Sequence, residues 1–153
     1  MLPLEQIYKK LEAASKRHSK LTTKFQDFAN LLKEQVTNQS FPIQGITIQF
    51  QSDQAYFTTS FTGRTLRFTF SSVLSEGGVL TGVVSCTLVK ESPQTAFTSI
   101  GSFTFNGAGE TDLPVPENSD PLNINDDFSA LYIGIHFIHE SLHVDARQDS
   151  ESP

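Results

Sequence analysis

Apolar and semi-apolar positions in the first part of the chain fall at Leu4, Ile7, Leu11, Ala14, His18, Leu21, Phe25, Phe28 and Leu32. Steps of three and four alternate throughout, so one narrow stripe follows a single helical face for four heptads. Pro3 suits the first position of such a helix, where a missing N–H costs nothing. Asn38, Ser40 and Pro42 end the pattern. The spacing predicts a helix over residues 3–36. About 33 helical residues span roughly 50 Å, whereas a ten-residue strand spans about 33 Å. The helix must overhang any sheet it covers by about ten residues, or bend. The weak stretch Ala14-Ser15 through Ser19 is where either would begin.

From Phe41 to Phe105 the period changes to two. Ile46, Ile48 and Phe50 alternate with Thr47, Gln49 and Gln51; Phe57 and Phe61 alternate with Thr58 and Ser60. Leu66, Phe68 and Phe70 alternate with Thr65, Arg67 and Thr69, and Leu80, Val84, Cys86 and Leu88 share one parity in a longer strand. The fifth strand reads as Phe97, Phe103 and Phe105 on one face. Ser52-Asp53, Thr62-Gly63, Glu76-Gly77-Gly78, Ser92-Pro93 and Asn106-Gly107 supply short turns. Links this short force antiparallel neighbours, since a parallel crossover needs a dozen residues or more. One sheet face is then Phe, Ile and Leu, and the other is Thr, Ser and Gln facing water. Cys86, on the apolar parity, reads as an inert core residue.

Residues 106–124 read as loop, with room for a short sixth strand at Leu113 to Val115. The acids Asp112, Glu117, Asp120, Asp126 and Asp127 lack the order of a Ca²⁺-binding EF-hand and read as solvated. Asn125-Asp126-Asp127 has the form of an N-cap with acids in the first turn. Phe128, Leu131, Ile135, Ile138 and Leu142 follow at helical spacing. Leu131 to Ile138 is also apolar enough for a buried strand; the cap and the length decide for a helix over 125–145, with a frayed tail at 146–153. The expected fold is a single α+β domain over 1–153. It comprises a long N-terminal helix, a five- or six-stranded antiparallel meander over 41–105, and a C-terminal helix. Both helices pack on one face of the sheet.

Phe supplies 13 of the aromatic residues and Trp none, so the core is expected to be largely phenylalanine. No run of about 18 apolar residues is present to cross a membrane. Met1 to Lys10 lacks the apolar region of a secretory signal. Cys86 is the sole cysteine and has no internal partner, which fits a reducing compartment. The cytoplasm follows as the expected location, and the glycosylation sequon Asn38-Gln39-Ser40 is then coincidental. Charge is split: residues 1–36 hold seven basic against four acidic residues, net +3, and the remainder is net −9. An acidic body argues against nucleic acid as a partner, because phosphate binding needs a basic face.

His139-Glu140-Ser141-Leu142-His143 fits H-E-x-x-H and resembles the zinc-binding helix of zincin metallopeptidases. Two His at i and i+4 on one helical face can share a tetrahedral Zn²⁺ while the Glu deprotonates the bound water. The resemblance covers five residues. It implies His139 and His143 as Zn²⁺ ligands and Glu140 as the catalytic base. Ala146 and Asp149 stand where metzincins carry Gly and a third His, and Met1 is the only methionine, so no Met-turn follows. Asp149 and His136 are the remaining candidates for a third ligand. Read as a structural stripe, Tyr132, His136, His139 and His143 flank the apolar face of the helix and Glu140 points to solvent. No phosphate-binding loop, nucleophile elbow or Cys-x-x-Cys occurs.

The favoured expectation is a non-catalytic cytoplasmic binding or adaptor protein of inhibitor, immunity, chaperone or regulatory type, needing no cofactor. The alternative is a zinc-dependent hydrolase. Leu4, Ile7, Tyr8 and Leu11, at the overhanging helix end, are the expected contact with a protein partner or with a second copy of the chain.

Overall fold

The long stripe folds as one unbroken helix. In the computed structural model, which describes residues 1–51, 53–91 and 93–144, α1 runs Leu4–Thr37. Pro3 occupies the cap position. The helix is uninterrupted at Ala14 to Ser19, and burial begins only at Leu21, so its first half overhangs the core. Its buried residues begin at Leu21 and continue through Phe25, Phe28, Ala29, Leu32 and Val36.

Five strands follow as an antiparallel meander in the order β1-β2-β3-β4-β5: Thr47–Phe50, Tyr56–Phe61, Arg64–Leu74, Leu80–Lys90 and Ala96–Phe105. Pairing starts six residues later than the alternation at Phe41 suggests. Pro42 has no N–H to donate, and Gly45 adopts φ 92°, which breaks an extended run. Thr62 and Gly63 both have positive φ, 52° and 77°, as a two-residue hairpin turn between right-twisted strands requires.

One predicted face is wrong, and the cause is a β-bulge. Cys86 pairs with Gly101 but Thr87 pairs with Ser99, leaving Ile100 as the extra residue of β5. An added residue inverts the alternation on one side of it. Phe103 and Phe105 therefore point into the core, whereas Phe97 stands on the opposite face and is 50% exposed.

The C-terminal segment is helical, not a strand: α2 spans Asp127–Ser141, and the Asp126 carboxylate accepts from the Ser129 N–H at 3.1 Å. Its buried face differs from the one read off the large residues. Ala130, Ile133, Gly134, Phe137, Ile138 and Ser141 are buried, whereas Phe128 is 70% exposed and Leu142 is also exposed. Small residues face α1 because the helices approach closely. A Cβ on Gly134 would lie 2.4 Å from Cδ1 of the fully buried Leu32. The helix stops at Ser141, short of residue 145, and Arg64 Nη1 donates to the carbonyls of Ser141 and Val144 at 2.8 and 2.6 Å. The tail 146–153 lies outside the described residues.

No sixth strand forms at Leu113 to Val115; isolated bridges join Phe105 to Thr111 and Glu110 to Asn123. The 106–124 loop is anchored rather than wholly solvated. Ile124 is fully buried and the Asn123 amide donates to the Ala108 carbonyl at 3.0 Å. Both helices lie on the apolar face of the sheet, over a core of interlocked rings. Phe28 meets Phe57, Phe68 and Phe103 edge-on, and Phe57 stacks on Phe68 at 4.8 Å. Thr59 is buried in the same layer, and its hydroxyl has no hydrogen-bond partner among the described residues.

Phe28→Ala is expected to destabilise the fold by about 3 kcal/mol or more, because a fully buried ring contacting four others leaves a cavity. A denaturant midpoint equal to that of the parent would refute this. Thr59→Val, which keeps the shape and removes an unpaired hydroxyl, should hold or raise stability by up to about 1–2 kcal/mol. A loss of more than that in urea titration would mean that the hydroxyl has a partner.

Candidate functional site

The H-E-x-x-H segment straddles the end of α2. His139 is in the last helical turn, but His143 lies beyond it, where Leu142, His143 and Val144 each donate to a carbonyl three residues back. The premise of two ligands on one continuous helical face is thus met only in part. The two imidazoles still meet edge to face, with centroids 5.0 Å apart, and both are exposed. Glu140 is also exposed. The Arg64 guanidinium donates to the carbonyls of Ser141 and Val144, on either side of His143 in the chain.

Among the described residues, no group of three His, Cys, Asp or Glu side chains converges in a way that could hold a metal ion. Asp149 lies outside the described residues. His136 does not join the pair: it stacks on Tyr132 at 6.3 Å and meets Phe137 edge-on. With Phe128 also stacked on Tyr132, the flank of α2 is a ring ladder along the surface, as expected of side chains with an apolar body and a polar tip.

Two of the acids considered for Ca²⁺ have structural tasks. Asp112 accepts from the Thr104 N–H at 2.8 Å, and Asp126 caps α2. Cys86 is 1% exposed, and burial pushes its thiol up to about 12 from 9.0. A thiol held protonated in this way is neither a nucleophile nor a metal ligand at neutral pH.

The predicted contact residues occupy the projecting end of α1. Leu4, Tyr8 and Leu11 are each more than 60% exposed, while Ile7 is half-buried. Arg17 and His18 tie the helix to the body by hydrogen bonds and ring stacking. Arg17 Nε donates to the Leu80 carbonyl at 3.2 Å, and its guanidinium occupies the space that a Cβ on Gly107 would take. His18 stacks on Phe70 at 5.5 Å and shares a hydrogen bond with the Ser72 hydroxyl.

The β3–β4 hairpin runs alongside this overhang. Between them lies an open apolar groove of about 450 Å³, lined by Leu11, Ala14, Arg17, Leu74, Val79 and Leu80. Leu74 is 61% exposed and Val79 51%. Sequence reasoning missed the hairpin half of this surface. Leu74 and Val79 beside Glu76-Gly77-Gly78 were the available signal, since bulky apolar residues seldom flank a solvated turn without a reason.

Comparison with protein-family models, with curated proteins and with solved structures finds no match to this chain. No helix among the described residues is long and apolar enough to cross a membrane.

Protein purified from metal-replete medium is expected to carry far less than one zinc per chain, because among the described residues no third ligand converges on the His139–His143 pair. Elemental analysis giving one zinc per chain, lost in His143→Ala, would reverse this and make Glu140 the candidate base.

Proposed function

We propose that this chain is a non-catalytic protein-binding module of adaptor type that acts in the cytoplasm through protein–protein contacts. The observation that carries the reading is the continuous apolar surface of the α1 overhang and the β3–β4 hairpin. Leu4, Tyr8, Leu11, Leu74 and Val79 all stand more than half exposed there. Leaving this much apolar surface in water costs roughly 25 cal/mol per Å², and such patches on folded chains mark interaction sites. The solitary buried thiol of Cys86 accords with a reducing compartment.

The partner that fits is a second copy of the chain. A twofold interface needs one surface to offer both ridge and groove, and α1 supplies the ridge while its junction with the hairpin supplies the groove. With the axis near Ile7 and Tyr8, antiparallel helices set Leu4 of one copy against Leu11 of the other. The same register brings Glu5 opposite Lys10, so the charges beside the apolar contacts alternate in sign.

Light scattering on a size-exclusion column at micromolar concentration should give twice the chain mass. Leu4→Asp combined with Leu11→Asp should yield a monomer with unchanged helical circular dichroism. A monomeric parent would remove the self-association reading, and a dimer surviving the double substitution would place the interface elsewhere.

A further inference from the structure

The uncovered face of the sheet is chemically unusual at its centre. Arg67 lies at an outward position in the middle strand, with Thr58 and Thr87 as its register neighbours. Its guanidinium carbon is 4.4 Å from the Tyr56 ring centroid and 5.2 Å from that of Phe97. Tyr56 comes from β2 on one side of β3, and Phe97 comes from β5 on the other, leaning across β4. Phe97 is available only because the bulge at Ile100 turned it outward.

Two observations point to something missing from this arrangement. Arg67 is the only charged residue at the outward positions of the five strands; the rest are Thr, Ser, Gln and Val, with Tyr56 and Phe97. Solvent faces of sheets ordinarily carry several charges of both signs. Furthermore, Nε of Arg67 is enclosed and has no hydrogen-bond partner among the described residues, so an acceptor from outside would have to meet the terminal Nη edge. Ring stacking fixes the plane of a guanidinium and leaves its edge donors free, which is how arginine is set to receive a carboxylate on two parallel hydrogen bonds.

We propose that this face is a second docking surface, for a protein partner that places one Asp or Glu carboxylate against Arg67 between Tyr56 and Phe97. Composition supports the assignment. Interface centres are rich in Tyr, Phe and Arg and poor in Lys, Glu and Asp, and this face has that make-up with a surround of hydroxyls able to adapt their donors. Charge supports a single carboxylate rather than a polyanion. One cation on a body of net charge −9 cannot hold a phosphate chain, which needs several cations. An isolated acid meets its opposite charge at the one point where it exists. The inference does not rest on the α1 surface, which lies on the other side of the sheet.

The test is a display selection of random dodecamer peptides on the immobilised full chain, with counter-selection on Arg67→Gln. Enriched peptides are then synthesised and measured by calorimetry. They should carry Asp or Glu. Affinity should fall about tenfold or more with Arg67→Gln, and by a similar factor when the peptide acid is changed to its amide. The two losses should not add when combined. Phe97→Ser should also weaken binding, and Leu11→Asp should not. Circular dichroism checks that the variants remain folded. Acid-free enriched sequences, equal affinity for Arg67→Gln, or no peptide surviving counter-selection would each overturn the proposal.

Discussion

The interlock of Phe25 and Phe28 with the rings of the sheet is the contact on which the remaining architecture depends. Phe25 lies 5.4 Å from Phe57 and 5.3 Å from Phe70, and Phe28 reaches Phe57, Phe68 and Phe103. These rings are rigid and bulky, and interiors pack at crystal-like density, so the helix can sit on the sheet in one position only. That position is in the second half of α1. An uninterrupted helix of 34 residues anchored there carries its first half past the core.

The projecting half and the anchored half therefore answer to different physics. Beyond Arg17 and His18, packing and ring stacking dictate the sequence. Before them, the apolar side chains of Leu4, Tyr8 and Leu11 stand more than 60% exposed. The β3–β4 hairpin shares this condition. Its strands extend past the core, and Leu74 and Val79 end up facing α1 across a groove that neither element fills. A latch from Arg17 to the Leu80 carbonyl holds the two walls of the groove at a fixed spacing.

Close helix contact governs the other end of the molecule. Gly134 lets α2 settle onto Leu32, and Phe137 then reaches Phe68 and Phe103 across the sheet. Arg64 closes the end of α2 by donating to the carbonyls of Ser141, its last residue, and of Val144 just beyond it. The H-E-x-x-H pattern falls at this closure, so its second histidine lies past the helix that its spacing presupposes.

Periodicity, turn residues and caps together determined much of this protein: the extent of α1 to within a residue at each end, the antiparallel order of five strands, the helical nature of α2 and the burial of Cys86. These are local properties, set by the spacing of apolar side chains and by turn residues such as Thr62-Gly63. The overhang was legible too, since it follows from two lengths. Tertiary structure decided the rest. The buried face of α2 rotated toward Ala130 and Gly134 because close approach favours small residues over large ones, and size is invisible to a count of apolar positions. The hairpin joined the α1 surface because residues 60 positions apart share a wall. Phe97 reached Arg67 because one extra residue at Ile100 inverted its face, and a bulge leaves the alternating pattern on either side intact while shifting its phase. The exposed end of α1 was legible from the two lengths, and only the folded chain brought Tyr56, Arg67 and Phe97 from three strands to one point.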